Sequence, residues 1–520
     1  MRSPHFGEEH EAFRRSVRAF MEKEVAPRAE AWEAERRIPR SVFRRMGDLG
    51  FLGITAPEAL GGTGADLFFA VAFLEELARS RMGGFCAAVS VQQFMATRHI
   101  LASGSDDLKE RYVRPSVAGA MVGALAITEP DAGSDVASLR TSAVREGGVY
   151  RVNGAKTFIT NGAEGDFYTT AVRTGPAGDG GISLLVVDAG AEGVRVSRRL
   201  HKMGWHASDT AELAFEDVRV PASNLVGEEN SGFVQIMEAF PLERLCAAAM
   251  AVGSGDLALE LTWAYLARRR AFGKPLHRYQ ALTHRLADLG ARLEAARHLT
   301  HHAAWLMERG EPALEASVMA KLVTTELGKE IADHCLQCFG GYGYMEEYPA
   351  ARLYRDARAA TLAAGTSEIM REIIARLAAA RASAEEEEAM STIPSDPNGP
   401  PRNPEADPAG AASPAQEATV EAIARAIPSR YRPEAVPGWE AVFHYRIKGA
   451  EKSEWTIAVS GGRCTASEGF LGEPTCVVEM KEGTFLGIQT GALNPQAAFM
   501  MGKVKVNNLN EMMKFLKAFK

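Results

Sequence analysis

The chain has 520 residues, 46% of them hydrophobic and 24% charged, the make-up of a water-soluble globular protein with several cores. A formal net charge of −7 gives no basis for nucleic acid binding, and six scattered cysteines argue against a disulfide framework. No uninterrupted apolar run approaches the ~20 residues of a membrane span, so no transmembrane segment is expected.

From Glu8 to about Arg36, Phe13, Val17, Phe20, Met21 and Val25 recur at helical spacing and predict an amphipathic helix. Further helical patterns reach about Ala118. Between Gly119 and Gly227 the character turns to short strands, with a continuous apolar run from Ile182 to Val187 and turn signals at Asn153-Gly154 and Asn161-Gly162. Helical periodicity returns from Gly232 to about Ala382. The proline-rich, acidic stretch Ala384–Gln416 cannot bury enough apolar surface to order itself, and reads as a tether spanning roughly 30 Å. Beyond it, Ala441, Phe443, Tyr445 and Ile447, then Trp455, Ile457 and Val459, alternate as half-buried strands. Leu509, Met512, Met513, Leu516 and Phe519 place an apolar stripe on a closing helix.

No metal site is expected. Cys335-x-x-Cys338 has no second pair of ligands and reads as helix packing. His298, His301 and His302 read as a solvated helix face. The N-terminus is polar and lacks an apolar signal core, and Ala518-Phe519-Lys520 is not a peroxisomal address, so the expected location is the bacterial cytoplasm.

Two segments carry the chemistry: Ala126-Ile127-Thr128-Glu129-Pro130-Asp131-Ala132-Gly133-Ser134-Asp135 and Lys156-Thr157-Phe158-Ile159-Thr160-Asn161-Gly162. Each is a strand end entering a turn rich in hydroxyls and backbone N–H donors, able to line a planar cofactor with polar edges. Downstream stand Arg269-Arg270-Ala271-Phe272-Gly273, Gln280, Gln337-Cys338-Phe339-Gly340-Gly341 and Ala364-Gly365-Thr366-Ser367-Glu368. On these motifs the chain from Glu8 to Ala382 resembles the acyl-CoA dehydrogenase family. That resemblance implies a helical domain over 1–118, a middle β-barrel or sandwich over 119–228 and a four-helix bundle over 229–383. It also implies FAD as cofactor. Leu125, Ala126, Ile127, Thr128 and Ser134, with Phe158, Ile159 and Thr160, would contact the flavin. Arg269, Phe272, Gln280, Gln337, Cys338, Phe339, Gly340 and Gly341 would reach the pyrophosphate and adenosine, some from a neighbouring subunit, with Thr366, Ser367 and Glu368 completing the set. A bridging cofactor implies a homo-oligomer, expected to be a tetramer. Phe158 stands where many relatives have tryptophan and keeps an aromatic wall.

In many relatives the catalytic base is a glutamate just before Gly-Thr-Ser, where this chain has Ala364, a methyl that takes no proton. The isovaleryl and long-chain branches carry it on a helix within Leu-Glu-Arg, here Leu242-Glu243-Arg244. The resemblance therefore implies Glu243 as the base removing the α-proton of an acyl-CoA thioester, with hydride passing to flavin N5. Ser134, Pro241, Leu242, Arg244, Ala364 and Gly365 would meet the substrate, the Ala364 N–H polarising the thioester. An electron-transferring flavoprotein would be the acceptor. An apolar pocket should raise the pKa of Glu243 toward operating pH.

Residues 417–520, after a linker over 384–416, resemble the sterol carrier protein type 2 domain, through Phe443 to Ile447, Gly487 to Gly491, and Asn494 to Phe499 continuing into Gly502 to Val506. That resemblance implies an α+β fold holding lipid or acyl-CoA. Two rival readings stand beside the dehydrogenase: an oxidase passing electrons to oxygen, and a lipid-transfer protein on a flavin-stabilised scaffold. Chain length and branching of the acyl group stay open.

Overall fold

A computed structural model describes residues 4–391, 420–449, 452–489 and 504–519 of the protein. The chain forms two compact units, Met1–Arg376 and Leu377–Lys520.

The stretch expected as one N-terminal helix is divided. α1 (Glu8–Phe20) runs through a π turn at Met21–Val25 and a 3₁₀ turn at Ala26–Arg28 before α2 (Ala29–Glu35). Pro27 lies in that 3₁₀ turn, where it cannot donate to the helical ladder. α3 (Arg40–Asp48), α4 (Leu67–Leu77), α5 (Gly83–Val91), α6 (Thr97–Ser103) and the short α7 (Asp106–Leu108) and α8 (Arg114–Val117) complete the helical layer. Asp66 caps α4 by accepting from the N–H groups of Phe68 and Phe69.

An eight-stranded sheet follows, made of β1 (Gly123–Ala126), β2 (Ser142–Glu146), β3 (Val149–Thr160), β4 (Phe167–Arg173), β5 (Ile182–Asp188), β6 (Val194–Arg199), β7 (Thr210–Pro221) and β8 (Leu225–Val226). Its path is β6-β7-β3-β2-β4-β5-β8, with β1 added parallel to β4. β4 and β5 are buried along almost their whole length, which explains the continuous apolar run at Ile182–Val187.

The C-terminal bundle opens with α9 (Gly232–Arg268), 37 residues long. Among the described residues α9 is the one helix long and apolar enough to cross a membrane, and 67% of its most apolar window is buried inside the fold. A two-residue hairpin, β9 (Arg270–Ala271) with β10 (Lys274–Pro275), separates it from α10 (Gln280–Glu308), α11 (Leu314–Phe339), α12 (Pro349–Ala360) and α13 (Ser367–Ser391). Gly253 lets α9 cross α4 closely, since a Cβ there would lie 2.0 Å from the Glu75 carbonyl oxygen. α13 continues through Glu385–Glu388 to Ser391, further than the tether boundary at 384 expected from sequence. Glutamate and alanine are good helix formers, and that outweighs the low apolar content there.

His301 corrects the reading of its neighbourhood as a solvated face. It is 1% exposed and shares a hydrogen bond of 2.9 Å with Glu75 of α4, whose carboxylate also accepts from Arg14 of α1 at 2.6 Å. Cys335 and Cys338 are buried free thiols on α11.

The second unit has α14 (Val420–Ala426) and a five-stranded sheet of β11 (Ala441–Lys448), β12 (Lys452–Ser460), β13 (Arg463–Glu468), β14 (Cys476–Lys481) and β15 (Val504–Val506), in the order β13-β12-β11-β14-β15. α15 (Glu482–Gln489) and α16 (Leu509–Ala518) pack on it. Phe443, Tyr445, Ile447, Trp455, Ile457 and Val459 form its core together with Phe515. Asn494 to Phe499, Gly502 and Lys503, and the side chains of Leu509, Met513 and Leu516, lie outside the described residues.

Candidate active site

The two segments expected to line the cofactor are joined by a buried ion pair. Lys156, 0% exposed, donates to the Ile127 carbonyl at 2.9 Å and to the Glu129 carboxylate at 2.8 Å. Glu129 also accepts from the N–H groups of Arg140 and Thr141, and the Thr157 N–H donates to the Thr128 carbonyl. Burial lowers the Lys156 pKa to about 8 against the pull of Glu129, and Lys156 holds Glu129 below its ordinary value despite burial. The register between β3 and β7 shifts between Lys156 and Ile159. That irregularity re-aims Phe158, which sits at φ +59° with its side chain 68% exposed. Thr160, two residues on, reaches the rim of a cavity.

This cavity, about 180 Å³, runs between α5, α9, α11 and α12. Glu243 and Ala364 both line it. Glu243 is 5% exposed and its Oε1 has no hydrogen-bond partner. Burial raises its pKa to about 7, with the adjacent Arg244 opposing, and burial likewise lowers Arg244 to about 10. Pro241, inside α9, removes one backbone donor just before Glu243. The Arg244 guanidinium lies 5.1 Å from the centre of the Phe240 ring.

α9 contributes Glu243, Ala247, Met250, Ala251, Ser254 and Ala258 to the lining, one face at helical spacing. α11 contributes Thr325, Gly328 and Ala332 opposite. Most of these side chains are small. From Glu243 to Ala258 the row extends about 22 Å at ~1.5 Å per residue.

Other expected site residues fall elsewhere. Ser134 is exposed on its loop, and neither it nor Pro241, Leu242, Arg244 or Gly365 lines the cavity. Gly365 is the neighbour of Ala364 in the same turn. Leu125, Ala126, Ile127 and Thr128 end β1 and enter the loop held by Lys156, while Ile159 is buried in the sheet core. Arg269, Phe272 and Gln280 lie past the far end of α9, where Phe272 is 96% exposed at the hairpin tip. Arg269 stacks on Tyr342, next to exposed Gln337, Gly340 and Gly341. Cys338 and Phe339 instead turn into the bundle, Phe339 stacking on Tyr265 at 4.2 Å. Some 25 residues of helix, about 37 Å, separate Glu243 from Arg268, which places the second set well beyond the Glu243 end of the cavity. Thr366 caps the Ile369 N–H, Ser367 donates to Glu326 at 2.6 Å, and Glu368 is exposed.

The donor chemistry fits a flavin: an exposed aromatic at Phe158, the hydroxyls of Thr128 and Thr160, and the unpartnered Glu243 carboxylate lining the cavity that Thr160 also lines. Sequence reasoning missed the partnership of Glu129 with Lys156 and the burial of Lys321 on α11, where it donates to the Gly365 carbonyl. It also missed the small-residue face of α9, which the spacing of Ala247, Ala251, Ser254 and Ala258 would have revealed.

Comparison with known proteins identifies the family. The N-terminal, middle and C-terminal acyl-CoA dehydrogenase domains match residues 7–120, 124–218 and 230–379, and the SCP-2 sterol transfer family matches 420–520. A long-chain specific acyl-CoA dehydrogenase from Sus scrofa mitochondria is 41% identical over 71% of this chain and 86% of its own. An acyl-CoA dehydrogenase from Bacillus subtilis is 39% identical over 72% of this chain and 98% of its own. The crystal structure of a probable acyl-CoA dehydrogenase from Mycobacterium abscessus has a TM-score of 0.70 and 46% identity, covering 71% of this chain and 98% of that one. The chain therefore belongs to the acyl-CoA dehydrogenase family, as an FAD-dependent oxidoreductase of acyl-CoA thioesters with a lipid-binding SCP-2 domain appended.

Proposed function

We propose that this enzyme removes the α- and β-hydrogens of a long-chain acyl-CoA, with Glu243 as the base. The observation that carries the reading is Glu243 itself: a buried, unpartnered carboxylate with its pKa at about 7, facing Ala364 across a cavity. A base in that range is half ionised near neutral pH and needs no partner to be displaced before it accepts a proton. FAD, when bound, supplies the acceptor for the β-hydrogen. Arg244, at the next position, steadies the ionised form of Glu243 through charge. The close-packed apolar lining excludes water, which strengthens each polar contact made to the thioester.

The row of small residues supports a long tail. About 22 Å of groove along α9 suits an extended fatty chain and far exceeds what a butyryl group fills. The separation of the Arg269 set from the cavity supports a homo-oligomer sharing cofactors between chains, which we assign as a tetramer. An electron-transferring flavoprotein is the proposed acceptor, and the bacterial cytoplasm the proposed location, with α9 a bundle helix rather than a membrane span. The proposed domain limits are 1–118, 119–228 and 229–383, the last with α13 running on to Ser391, then a linker to 416 and a domain over 417–520.

Anaerobic flavin bleaching with butyryl-, isovaleryl-, octanoyl- and palmitoyl-CoA tests the reading. Palmitoyl-CoA is expected to bleach fastest, and Glu243→Gln to slow bleaching by at least ~10²-fold at unchanged FAD content. Near-normal bleaching by Glu243→Gln would remove the base assignment, and preference for isovaleryl-CoA would remove the chain-length assignment. Stoichiometric peroxide in air would make the enzyme an oxidase.

A further inference from the structure

Lys321 lies on α11 and is 0% exposed, yet carries an ammonium group into the bundle. Its Nζ donates at 2.6 Å to the carbonyl oxygen of Gly365. Burial is the main influence on this group and lowers its pKa to about 8; Arg244 of α9 pushes the same way, while Glu326 of α11 and Glu368 of α13 oppose. A methionine of similar length would fill the space without that desolvation cost. The carbonyl it grips belongs to a strained turn. Ala364 sits at φ +54° and Gly365 at φ +91°, and the turn presents Ala364 to the cavity that Glu243 lines. Among the described hydrogen bonds none takes up the N–H groups of Ala364, Gly365 or Thr366, so consecutive backbone donors are left free beside the cavity. Such a run of free N–H groups makes a ready cradle for an oxygen that gains negative charge. The turn has a second anchor on α11, where Ser367 donates to Glu326 at 2.6 Å. Two clamps on one helix, at Gly365 and at Ser367, therefore bracket the free donors.

We propose that Lys321 is a positioning residue: by holding the Gly365 carbonyl, it keeps the N–H groups of the Ala364–Gly365 turn aimed at the thioester oxygen opposite Glu243. It touches neither substrate nor cofactor. The assignment rests on the reading of this cavity as the thioester site. Removing the clamp lets the turn relax while the Ser367–Glu326 anchor keeps it folded. The loss falls on the developing enolate charge rather than on binding of the acyl-CoA.

The test uses the full-length holoenzyme with palmitoyl-CoA, comparing Lys321→Met, which loses the donor, with Lys321→Gln, which is one bond shorter but still donates. FAD content, kcat, KM and exchange of the thioester α-protons with deuterated water are measured together. Lys321→Met is expected to lower kcat and α-proton exchange by about 10²-fold, the scale of losing one oxyanion donor, with KM within about three-fold and FAD content unchanged. Lys321→Gln is expected to recover about ten-fold of that loss. A Lys321→Met enzyme with kcat within about two-fold of the parent overturns the proposal. So does a Lys321→Gln enzyme as impaired as Lys321→Met, or a loss of kcat that only follows loss of FAD. Should Lys321→Met fail to load FAD, Lys321→Gln decides alone: kcat about ten-fold down at unchanged KM supports the role, and parental kcat refutes it. Glu243→Gln, run alongside, separates the two readings. Persistent α-proton exchange in that variant faults the base assignment, whereas the Lys321 comparison is made entirely with Glu243 in place.

Discussion

Burial of Glu243 has two consequences of opposite sign for the enzyme. For catalysis the ionised form is required, so kcat/KM should rise with pH through an inflection near 7, and a pH–rate profile checks this. For stability the same shift is a cost. A carboxyl whose folded pKa stands above its ordinary 4.5 binds its proton more tightly folded than unfolded, so stability falls as pH rises from about 4.5 to about 7. The cost is then constant, about 3 kcal/mol for a shift of this size. Glu243→Gln should therefore melt higher than the parent at pH 8.5, with the gap closing toward pH 4.5, as thermal melts of the holoenzyme would record. A melting point lowered at pH 8.5 would mean that Glu243 makes a compensating contact when ionised.

At the level of elements, the pairing of α9 with α11 sets the depth of the acyl groove. Gly328 faces Ala251 across it, with a Cβ built on the glycine lying 4.0 Å from the Ala251 Cβ. Gly328→Leu would fill that space without meeting Glu243. It should cut kcat/KM for palmitoyl-CoA at least ten-fold while leaving butyryl-CoA nearly untouched, since a few methylenes denied burial cost ~0.8 kcal/mol each. Parallel kinetics with the two substrates decide it, and equal losses on both would place the acyl tail elsewhere. The packing of α1, α4 and α10 depends on a different group. Glu75 is held down to about 2: burial pushes it up, and the His301 hydrogen bond with the Arg14 and Arg297 charges more than offsets this. A lowered carboxylate contributes stability that is present above about 4.5 and lost as pH falls through about 2. Glu75→Gln is expected to destabilise by ~1.5–3 kcal/mol at neutral pH, because the contacts of Glu75 with His301, Arg14 and Arg297 lose their charge while Glu76 and Asp256 still pair the two arginines. Denaturant unfolding at pH 7 measures it.

For the whole molecule, the two units keep separate apolar cores, that of the second drawn entirely from residues 420–519. A chain ending at Ala382 should therefore still bind about one FAD per chain and assemble as the full chain does, which absorbance and sedimentation would establish. Carrying a lipid-binding domain on the same chain as the active site would raise the local concentration of a carried lipid, to order mM where two modules are joined by a short flexible linker. If that domain hands over substrate, the shortened enzyme should show a higher KM for palmitoyl-CoA and an unchanged KM for butyryl-CoA. Equal palmitoyl-CoA constants in both proteins would exclude delivery.

Much of this protein could be read from its residues in order. Strand alternation at Ala441–Ile447, the apolar run at Ile182–Val187, and the polar turns around Thr128 and Thr160 each advertise local geometry through spacing alone. Glu243 is legible as a candidate base, because alanine at 364 cannot take a proton and a glutamate stands in the alternative place that the family resemblance offers. What the chain order hides is partnership between distant residues. Lys156 meets Glu129, His301 meets Glu75, and Lys321 meets Gly365 only once strands and helices are packed. Whether a lysine is a solvated charge or a buried clamp depends on what surrounds it, and its surroundings come from other elements. Likewise residue order by itself does not give the distance between Arg269 and Glu243. What the structure adds is the length of α9, which separates Glu243 from Arg268 by 25 helical residues, about 37 Å.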